Sequence, residues 1–253
     1  MKALLARLQQ KHRTISFPKG EPRLPDRYRG LPILNEAGCE TGCRACLEEC
    51  PTGALAKTDG RLSLDLGRCL FCSRCERACP AGAVRFGRDY RQAVRSRNDL
   101  VVGGPEIRRA AALEKKLKIL LGRSLKLRQV SAGGCNACEA DTNVLTTIVY
   151  DIGRFGIQFE ASPRHADGLL VTGPVTENMR SALEKTYAAV PDPKIVIACG
   201  ACAVSGGVFA DLPDVQNGVE KTIPVDLFIP GCPPHPLTIL DGLLRLAGRI
   251  NGV

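Results

Sequence analysis

Cysteine is the residue type in this chain whose abundance demands a chemical explanation. The 253 residues include thirteen cysteines, no tryptophan and four tyrosines, which points to disulfide bonds or to metal binding. Residues 1–18 mix Lys, Arg and Gln with Leu and Ala, so we expect no secretory leader. In the cytoplasm thiols stay reduced, and closely spaced cysteines there usually hold metal. The cysteines therefore predict metal centres.

Eight cysteines form an internal repeat in the first part of the chain. The copies are Cys39-x3-Cys43-x2-Cys46-x3-Cys50-Pro and Cys69-x2-Cys72-x2-Cys75-x3-Cys79-Pro. The second copy has the spacing of a [4Fe-4S] run, in which three thiolates on a tight loop hold one cubane and the fourth cysteine reaches another. The first copy has one extra residue between its first two cysteines. Zinc is the alternative, but zinc sites require neither the third cysteine nor the Cys-Pro ending.

The other five cysteines lie in a second part that alternates short apolar runs with helical patterns. Strands are predicted at 125–130, 156–160, 168–172, 194–198 and 226–229, and helices at 141–150, 176–190 and 237–250. Such alternation predicts a parallel sheet covered on both faces. These cysteines all follow carboxyl ends of predicted strands: Cys135, Cys138, Cys199, Cys202 and Cys232. Loops converge at that edge, so four of the thiolates can meet on one metal centre.

Charge is distributed unevenly along the chain. Residues 1–128 hold 27 Lys and Arg against 13 Asp and Glu, whereas residues 129–253 hold 8 against 13. Residues 88–124 are predicted to form a basic linker that ends in an amphipathic helix at 106–121. A basic half suits acidic electron carriers, anionic lipids or nucleic acid. A zinc-stabilised nucleic-acid-binding protein is disfavoured because aromatic residues for base stacking are few, and no apolar run is long enough to cross a bilayer.

Motifs around the five later cysteines resemble the small subunit of membrane-bound, energy-converting [NiFe] hydrogenases and its homologue in respiratory complex I. They are Cys-x2-Cys-Glu at 135–139, Gly-x-Cys-Ala-x2-Gly-Gly at 200–207 and Pro-Gly-Cys-Pro-Pro at 230–234. The resemblance covers residues 125–247. It implies a flavodoxin-like domain with one [4Fe-4S] cluster on Cys135, Cys138, Cys202 and Cys232, and an unligated Cys199. Complex I relatives carry adjacent cysteines at the first position; the separation by Asn136 and Ala137 favours the hydrogenase side.

The first part resembles the two-cluster ferredoxin subunit of formate hydrogenlyase and complex I. The likeness includes the cysteine repeat and, ahead of it, Phe17-Pro18 and Pro25-x2-Tyr28-Arg29-Gly30-Leu31-Pro32. It implies a ferredoxin-like α+β domain with Cys39, Cys43, Cys46 and Cys79 on one cluster and Cys50, Cys69, Cys72 and Cys75 on the other. We therefore expect an α/β protein made by fusion, with a two-cluster domain at 1–87, a linker at 88–124 and a flavodoxin-like domain at 125–253.

Together the resemblances imply an electron-transfer subunit of a membrane-associated [NiFe] hydrogenase complex. Three [4Fe-4S] clusters would relay electrons between the active site of a large subunit and an external carrier. Implied partners are that large subunit, membrane subunits, and a soluble carrier or a formate dehydrogenase-type subunit, at the inner face of the cell membrane. The alternative is a fused subunit of a nickel-free, complex I-like oxidoreductase that handles quinone or ferredoxin electrons.

No catalytic residue is expected in this chain itself. Glu139 and Asp141 follow the second ligand of the third cluster, and the resemblance implies proton transfer or contact with the large subunit. Charge pairing with a helix N-terminus is an equally good reading, because carboxylates are favoured there.

Overall fold

A computed structural model describes residues 2–250 except 36, 38, 41, 104–106, 108 and 112–123. The predicted helix at 106–121 therefore lies almost entirely outside the described residues. Within the described part of the chain, no helix has both the length and the apolar character needed to span a bilayer.

The first part of the chain consists of short elements around the cysteine repeat. In order they are α1 (Lys2–Gln10), β1 (Pro32–Leu34), α2 (Ala45–Glu48), β2 (Leu55–Thr58), β3 (Arg61–Asp65), α3 (Arg74–Ala78), β4 (Val84–Phe86) and β5 (Val101–Val102). β1 pairs antiparallel with β4, and β3 lies between β2 and β5. Asp59 and Gly60 close the β2–β3 hairpin, both with positive φ, as a tight two-residue hairpin turn requires. Each copy of the repeat thus contributes a short helix and then a strand.

The second part is a five-stranded parallel sheet with helices between the strands. Its strands are β6 (Leu125–Ser131), β7 (Ile157–Phe159), β8 (Gly168–Thr172), β9 (Ile195–Cys199) and β10 (Leu227–Ile229), and its helices α4 (Ala137–Val144), α5 (Glu177–Ala189), α6 (Ala201–Ser205) and α7 (Pro236–Leu246). The spatial order is β10-β9-β8-β6-β7, with every pair parallel. This is the doubly wound, flavodoxin-like order, whose ligand crevice lies at the carboxyl ends of the strands. The predicted parallel sheet is confirmed.

One predicted helix of the second part is misplaced. The apolar pattern predicts a helix at 141–150, but α4 runs from Ala137 to Val144. Asn136 adopts a left-handed backbone conformation with φ of 69° and turns the chain into the helix. Asparagine tolerates that conformation better than most residues, and this local signal outweighs the weaker apolar spacing further along. Cys138, Glu139 and Asp141 consequently all belong to α4.

The described residues of the predicted linker are part of the packed structure. Val94 exchanges two backbone hydrogen bonds with Phe228 of the edge strand β10, at 3.0 and 2.9 Å. Residues 101–102 form β5, which pairs with β3. An edge strand leaves unpaired backbone groups that another segment can satisfy. The segment 88–102 therefore ties the cysteine repeat to the sheet and does not act as a spacer.

Side-chain contacts also join the two parts. The Ser205 hydroxyl in α6 donates to the Gly67 carbonyl at 2.8 Å, and a Cβ added at Gly67 would lie 2.7 Å from Val204. One apolar core runs from Leu62 and Leu64 of the first part to Leu169 and other sheet residues. The two parts thus share their interior, and this fixes their relative positions.

A buried ion pair on α7 provides a test of this packing. Arg245 contacts Asp241 at 2.7 Å, and their side chains are 7% and 2% exposed. We expect Arg245→Met to lower the free energy of unfolding by about 3–5 kcal/mol at neutral pH, because it leaves a carboxylate buried without its cation. Burial raises the pKa of Asp241 despite the Arg245 hydrogen bond that lowers it. Without Arg245, the pKa of Asp241 in the folded variant rises further above its value in the unfolded chain. The loss of unfolding free energy should therefore grow as the pH rises and shrink in acid.

Urea unfolding at about pH 5 and about pH 8 measures both effects. The matched control is Arg180→Met, which breaks a pair with Glu184 at the same i,i+4 spacing but with side chains 48% and 47% exposed. Its loss should stay below about 0.5 kcal/mol. Equal losses in the two variants would contradict the burial argument.

Candidate metal centres

The first group of cysteines combines three residues of the first repeat with one of the second. Cys46 lies in α2 and Cys79 directly follows α3. Burial raises the pKa of Cys46, and the charges of Cys79, Cys39 and Cys43 raise it further. The four thiols that the ferredoxin resemblance assigns to one cluster therefore interact electrostatically, and their binding of one cluster stays a prediction.

The second group is the reciprocal set. Burial raises the pKa of Cys69 to about 12, and the charges of Cys75, Cys50 and Cys72 also raise it. The same four thiols line a cavity with the apolar residues Leu55, Leu64 and Phe86. The loop that carries Cys69, Cys72 and Cys75 includes Phe71 and Ser73 with positive φ. This conformation turns the chain tightly around the cavity.

Backbone amides point at the sulfur atoms in both copies of the repeat. The Ala54 amide donates to Cys50 Sγ and the Ala83 amide to Cys79 Sγ, each at 3.2 Å. Gly53 and Gly82 precede these alanines with positive φ, a conformation that glycine adopts without steric cost. N–H···S hydrogen bonds stabilise thiolates and are a feature of iron–sulfur ligation. The donor set thus fits a thiolate-bound cluster.

The third group lies at the carboxyl edge of the parallel sheet. Cys135 and Cys138 follow β6, Cys202 lies in α6 after β9, and Cys232 follows β10. Burial raises the pKa of Cys202 to about 11, and the charges of Cys232 and Cys135 add to the effect. Burial also raises the pKa of Cys138, with further contributions from Cys199, Cys202 and Cys232. The four thiols predicted for the third cluster therefore interact electrostatically at this edge, and their binding of one cluster stays a prediction.

Glycines make room for these sulfur atoms. A Cβ added at Gly200 would lie 2.5 Å from Cys138 Sγ, and one at Gly207 would lie 2.8 Å from Cys202 Sγ. Both glycines have positive φ as well. Any side chain at either position would collide with a sulfur atom, so this edge has the close backbone approach that a cluster needs.

Cys199 is a fifth thiol at this edge. It is the last residue of β9, fully buried in the core with Ile195 and Ile197. Burial raises its pKa to about 12, although a hydrogen bond with Thr142 lowers it. Its charge reaches Cys138, so it lies close to the third group but on the inner side of the strand.

Glu139 and Asp141 have different surroundings. Glu139 is 6% exposed, and its Oε1 accepts a hydrogen bond of 2.7 Å from the Thr172 hydroxyl. Burial alone would raise its pKa, but hydrogen bonds from Ser131 and Thr172 lower it overall. Burial raises the pKa of Asp141, which lines a cavity of about 420 Å³ with Cys72 and Cys232. A role of these carboxyls in proton transfer or in contact with a large subunit stays a prediction.

The three groups follow one another through space. The charge of Cys46 from the first group acts on Cys75 of the second. The charge of Cys72 from the second group acts on Cys232 of the third. The second group is therefore adjacent to each of the other two, and Cys72 and Cys232 also line one cavity.

Lys57 is a site residue that the cysteine motifs did not reveal. Its Nζ donates to Cys39 Sγ at 3.2 Å and to the Glu40 carbonyl at 3.3 Å. The sequence signal that could have revealed Lys57 is the alternation of β2, which places Lys57 on the same face as the buried Leu55.

Known proteins match both parts of the chain. Residues 135–246 match the family "NADH ubiquinone oxidoreductase, 20 Kd subunit", and residues 38–83 match "4Fe-4S dicluster domain". The "Probable membrane-bound hydrogenase subunit mbhJ" of Pyrococcus furiosus is 45% identical over 147 residues, which cover 55% of this chain and 88% of that protein. These matches confirm the two resemblances that the cysteine motifs predict.

Two further relatives come from other complexes. "Formate hydrogenlyase subunit 7" of Escherichia coli is 47% identical over 141 residues, which are 56% of this chain and 54% of that protein. The chain thus spans about half the length of that relative. An NADH-quinone oxidoreductase subunit of Citrifermentans bemidjiense is 44% identical over 117 residues, which are 46% of this chain and 68% of that protein.

A pair of serine variants distinguishes ligand from neighbour in the third group. Cys202→Ser should lower the iron content by about four per chain, because the cluster loses one of its four thiolates. Cys199→Ser should leave the iron content unchanged, because that side chain faces the core. Iron and acid-labile sulfide per chain measure both results. The opposite pattern would make Cys199 the ligand.

Proposed function

Because the chain belongs to the family of the NADH ubiquinone oxidoreductase 20 kDa subunit, we propose that it relays electrons through three [4Fe-4S] clusters within an energy-converting [NiFe] hydrogenase complex of the formate hydrogenlyase type. It is an electron-transfer subunit of an oxidoreductase complex. When bound, each cluster accepts and releases one electron at a time. The observation that carries the proposal is the serial arrangement of three thiol groups.

Each cluster is assigned to one of these groups. The assigned ligands are Cys39, Cys43, Cys46 and Cys79 for the first cluster, Cys50, Cys69, Cys72 and Cys75 for the second, and Cys135, Cys138, Cys202 and Cys232 for the third. Thiolates occupy every outer iron position in such an arrangement, so no open site remains for substrate. The electrostatic interaction between Cys46 and Cys75 and the cavity that Cys72 and Cys232 share support the order first, second, third.

The chain combines two modules in this proposal. Residues 1–87 form a ferredoxin-like domain, residues 88–124 connect it, and residues 125–253 form the flavodoxin-like domain. The antiparallel pairing of β1 with β4 and the match at 38–83 support the first module. Fusion suits a relay, because covalent attachment and a shared core keep successive clusters at a fixed separation.

Catalysis belongs to a partner. The substrate site lies in a large subunit next to the third cluster, and the first cluster exchanges electrons with a soluble carrier or a formate dehydrogenase-type subunit. The chain itself is cytoplasmic and peripheral on the inner face of the cell membrane, where the membrane subunits of the complex hold it. Relatives named as subunits of a membrane-bound hydrogenase and of formate hydrogenlyase support this assignment.

A complex I-like role is the second candidate. It is supported by the family match at 135–246 and by the 44% identity to an NADH-quinone oxidoreductase subunit. In that case the large subunit holds no nickel, and the relay serves quinone or ferredoxin. The spacing of Cys135 and Cys138 by two residues favours the hydrogenase.

Metal analysis of the intact, anaerobically purified complex tests the proposal. We expect about twelve irons and about twelve labile sulfides per copy of this chain, beyond the iron that the [NiFe] site and any clusters of partner subunits contribute, because three cubanes contain four of each. Nickel in the large subunit and hydrogen uptake should accompany them.

Each alternative gives a different result. Full iron without nickel or hydrogen uptake would favour the complex I-like role. About eight irons per chain would show that the chain holds two clusters and not three. A colourless, zinc-containing protein with salt-sensitive DNA binding would overturn the relay.

A further inference from the structure

Lys57 breaks the pattern of the strand that contains it. In the β2–β3 hairpin, Leu55 lies opposite Leu64 and Lys57 lies opposite Leu62. Opposed residues share a face of the pleat, and the three leucines are buried. A lysine on this inner face has to find a polar partner for its ammonium group. The partners are the sulfur of Cys39 and the carbonyl of Glu40, at 3.2 and 3.3 Å.

The internal repeat supplies a natural comparison for this position. Aligning Cys50-Pro with Cys79-Pro places Leu55 over Val84 and Lys57 over Phe86. The ring centroids of Phe86 and Phe71 lie 5.9 Å apart, and Phe86 lines the cavity of the second group of thiols. Lys57 lines the corresponding cavity of about 370 Å³ beside Cys39 and Cys43. Equivalent positions thus present an aromatic ring to one cluster and a cation to the other.

Lys57 also contacts the segment in which the spacing of the first repeat is irregular. That repeat has one extra residue between its first two cysteines, within the segment Glu40 to Gly42. The ammonium group bonds both to Cys39 and to the carbonyl that follows it. It therefore links β2 to Cys39 and Glu40, the two residues on which this segment begins.

We propose that Lys57 is a positioning and tuning residue for the first cluster, which it holds at a higher reduction potential than an uncharged residue would. This inference rests on the proposed function. When the cluster gains one electron, no bond forms or breaks, and its net charge becomes more negative by one. A charge-assisted N–H···S hydrogen bond stabilises that reduced state. Electrons arriving from the second cluster are thereby favoured at the first.

The test is an anaerobic redox titration of the intact complex with dithionite, followed by low-temperature electron paramagnetic resonance. Cys39→Ser identifies the signal of the first cluster, because it changes one of that cluster's ligands. Lys57→Met should make the reduction equilibrium of this cluster about tenfold less favourable, a shift of about 59 mV for one electron. Lys57→Arg retains the charge and should stay within about threefold of the parent.

Arg61→Met is the matched control, since Arg61 belongs to the same hairpin but lies exposed on its outer face. It should shift the equilibrium by less than about twofold, because solvent screens an exposed charge. If Lys57→Met keeps its full iron content and the first cluster keeps its reduction potential, the inference is overturned while the proposed function stands. An equal shift in Arg61→Met also overturns it, because general surface charge would then explain the effect.

Two results concern cluster binding itself. If Lys57→Met lacks about four irons while Lys57→Arg keeps them, the role in holding the loop is supported. If the parent complex holds no clusters, the proposed function and this inference both fall, and the iron content of the parent separates that case from the others.

Discussion

Burial of gathered thiols, together with their mutual repulsion as thiolates, is the constraint on which the metal centres of this structure depend. Burial and neighbouring sulfur charges raise the pKa of Cys69 to about 12, of Cys75 to about 11 and of Cys202 to about 11. Four thiolates can therefore be charged side by side only when cations neutralise them. Iron binding displaces the thiol protons and removes the repulsion. Metal-free chain should accordingly keep Cys69, Cys75 and Cys202 protonated at neutral pH, and cluster assembly should stabilise the arrangement that folding prepares.

Local backbone chemistry prepares each sulfur position before any iron arrives. Proline after Cys50 and Cys79 turns the chain, and glycine two residues later allows the next amide to point back at the sulfur. At the carboxyl edge of the parallel sheet, the positions of the sulfur atoms are prepared in a different way. There Gly200 and Gly207 leave the space that sulfur atoms occupy. The repeat and the sheet thus belong to unrelated folds, but in both of them glycines let the backbone approach the sulfur atoms closely.

Electron relay additionally requires the three groups to keep their spacing, and the packing between the two parts provides this. Val94 extends the sheet beside Phe228, and Ser205 bonds to the loop that precedes Cys69. Cys72 and Cys232 approach each other across this junction. A flexible connection would let that separation vary. The shared core makes the second and third groups neighbours in a single body.

The sequence by itself predicted the cysteine groups of the repeat. It determined the five strands of the parallel sheet within about two residues, and the family, because these depend on short-range spacing that the chain displays directly. It also predicted that cysteines after β6, β9 and β10 meet, since parallel strands end at one edge. Only the tertiary structure decided the packing of residues 88–102, the early start of α4 at Ala137, the closeness of Cys199 to Cys138, and the contact of Lys57 with Cys39. Most of these features join residues far apart in the chain, about which hydrophobic periodicity and motif spacing carry no information. For Lys57, the alternation of β2 indicates the face of the strand but not the partner that the ammonium group binds.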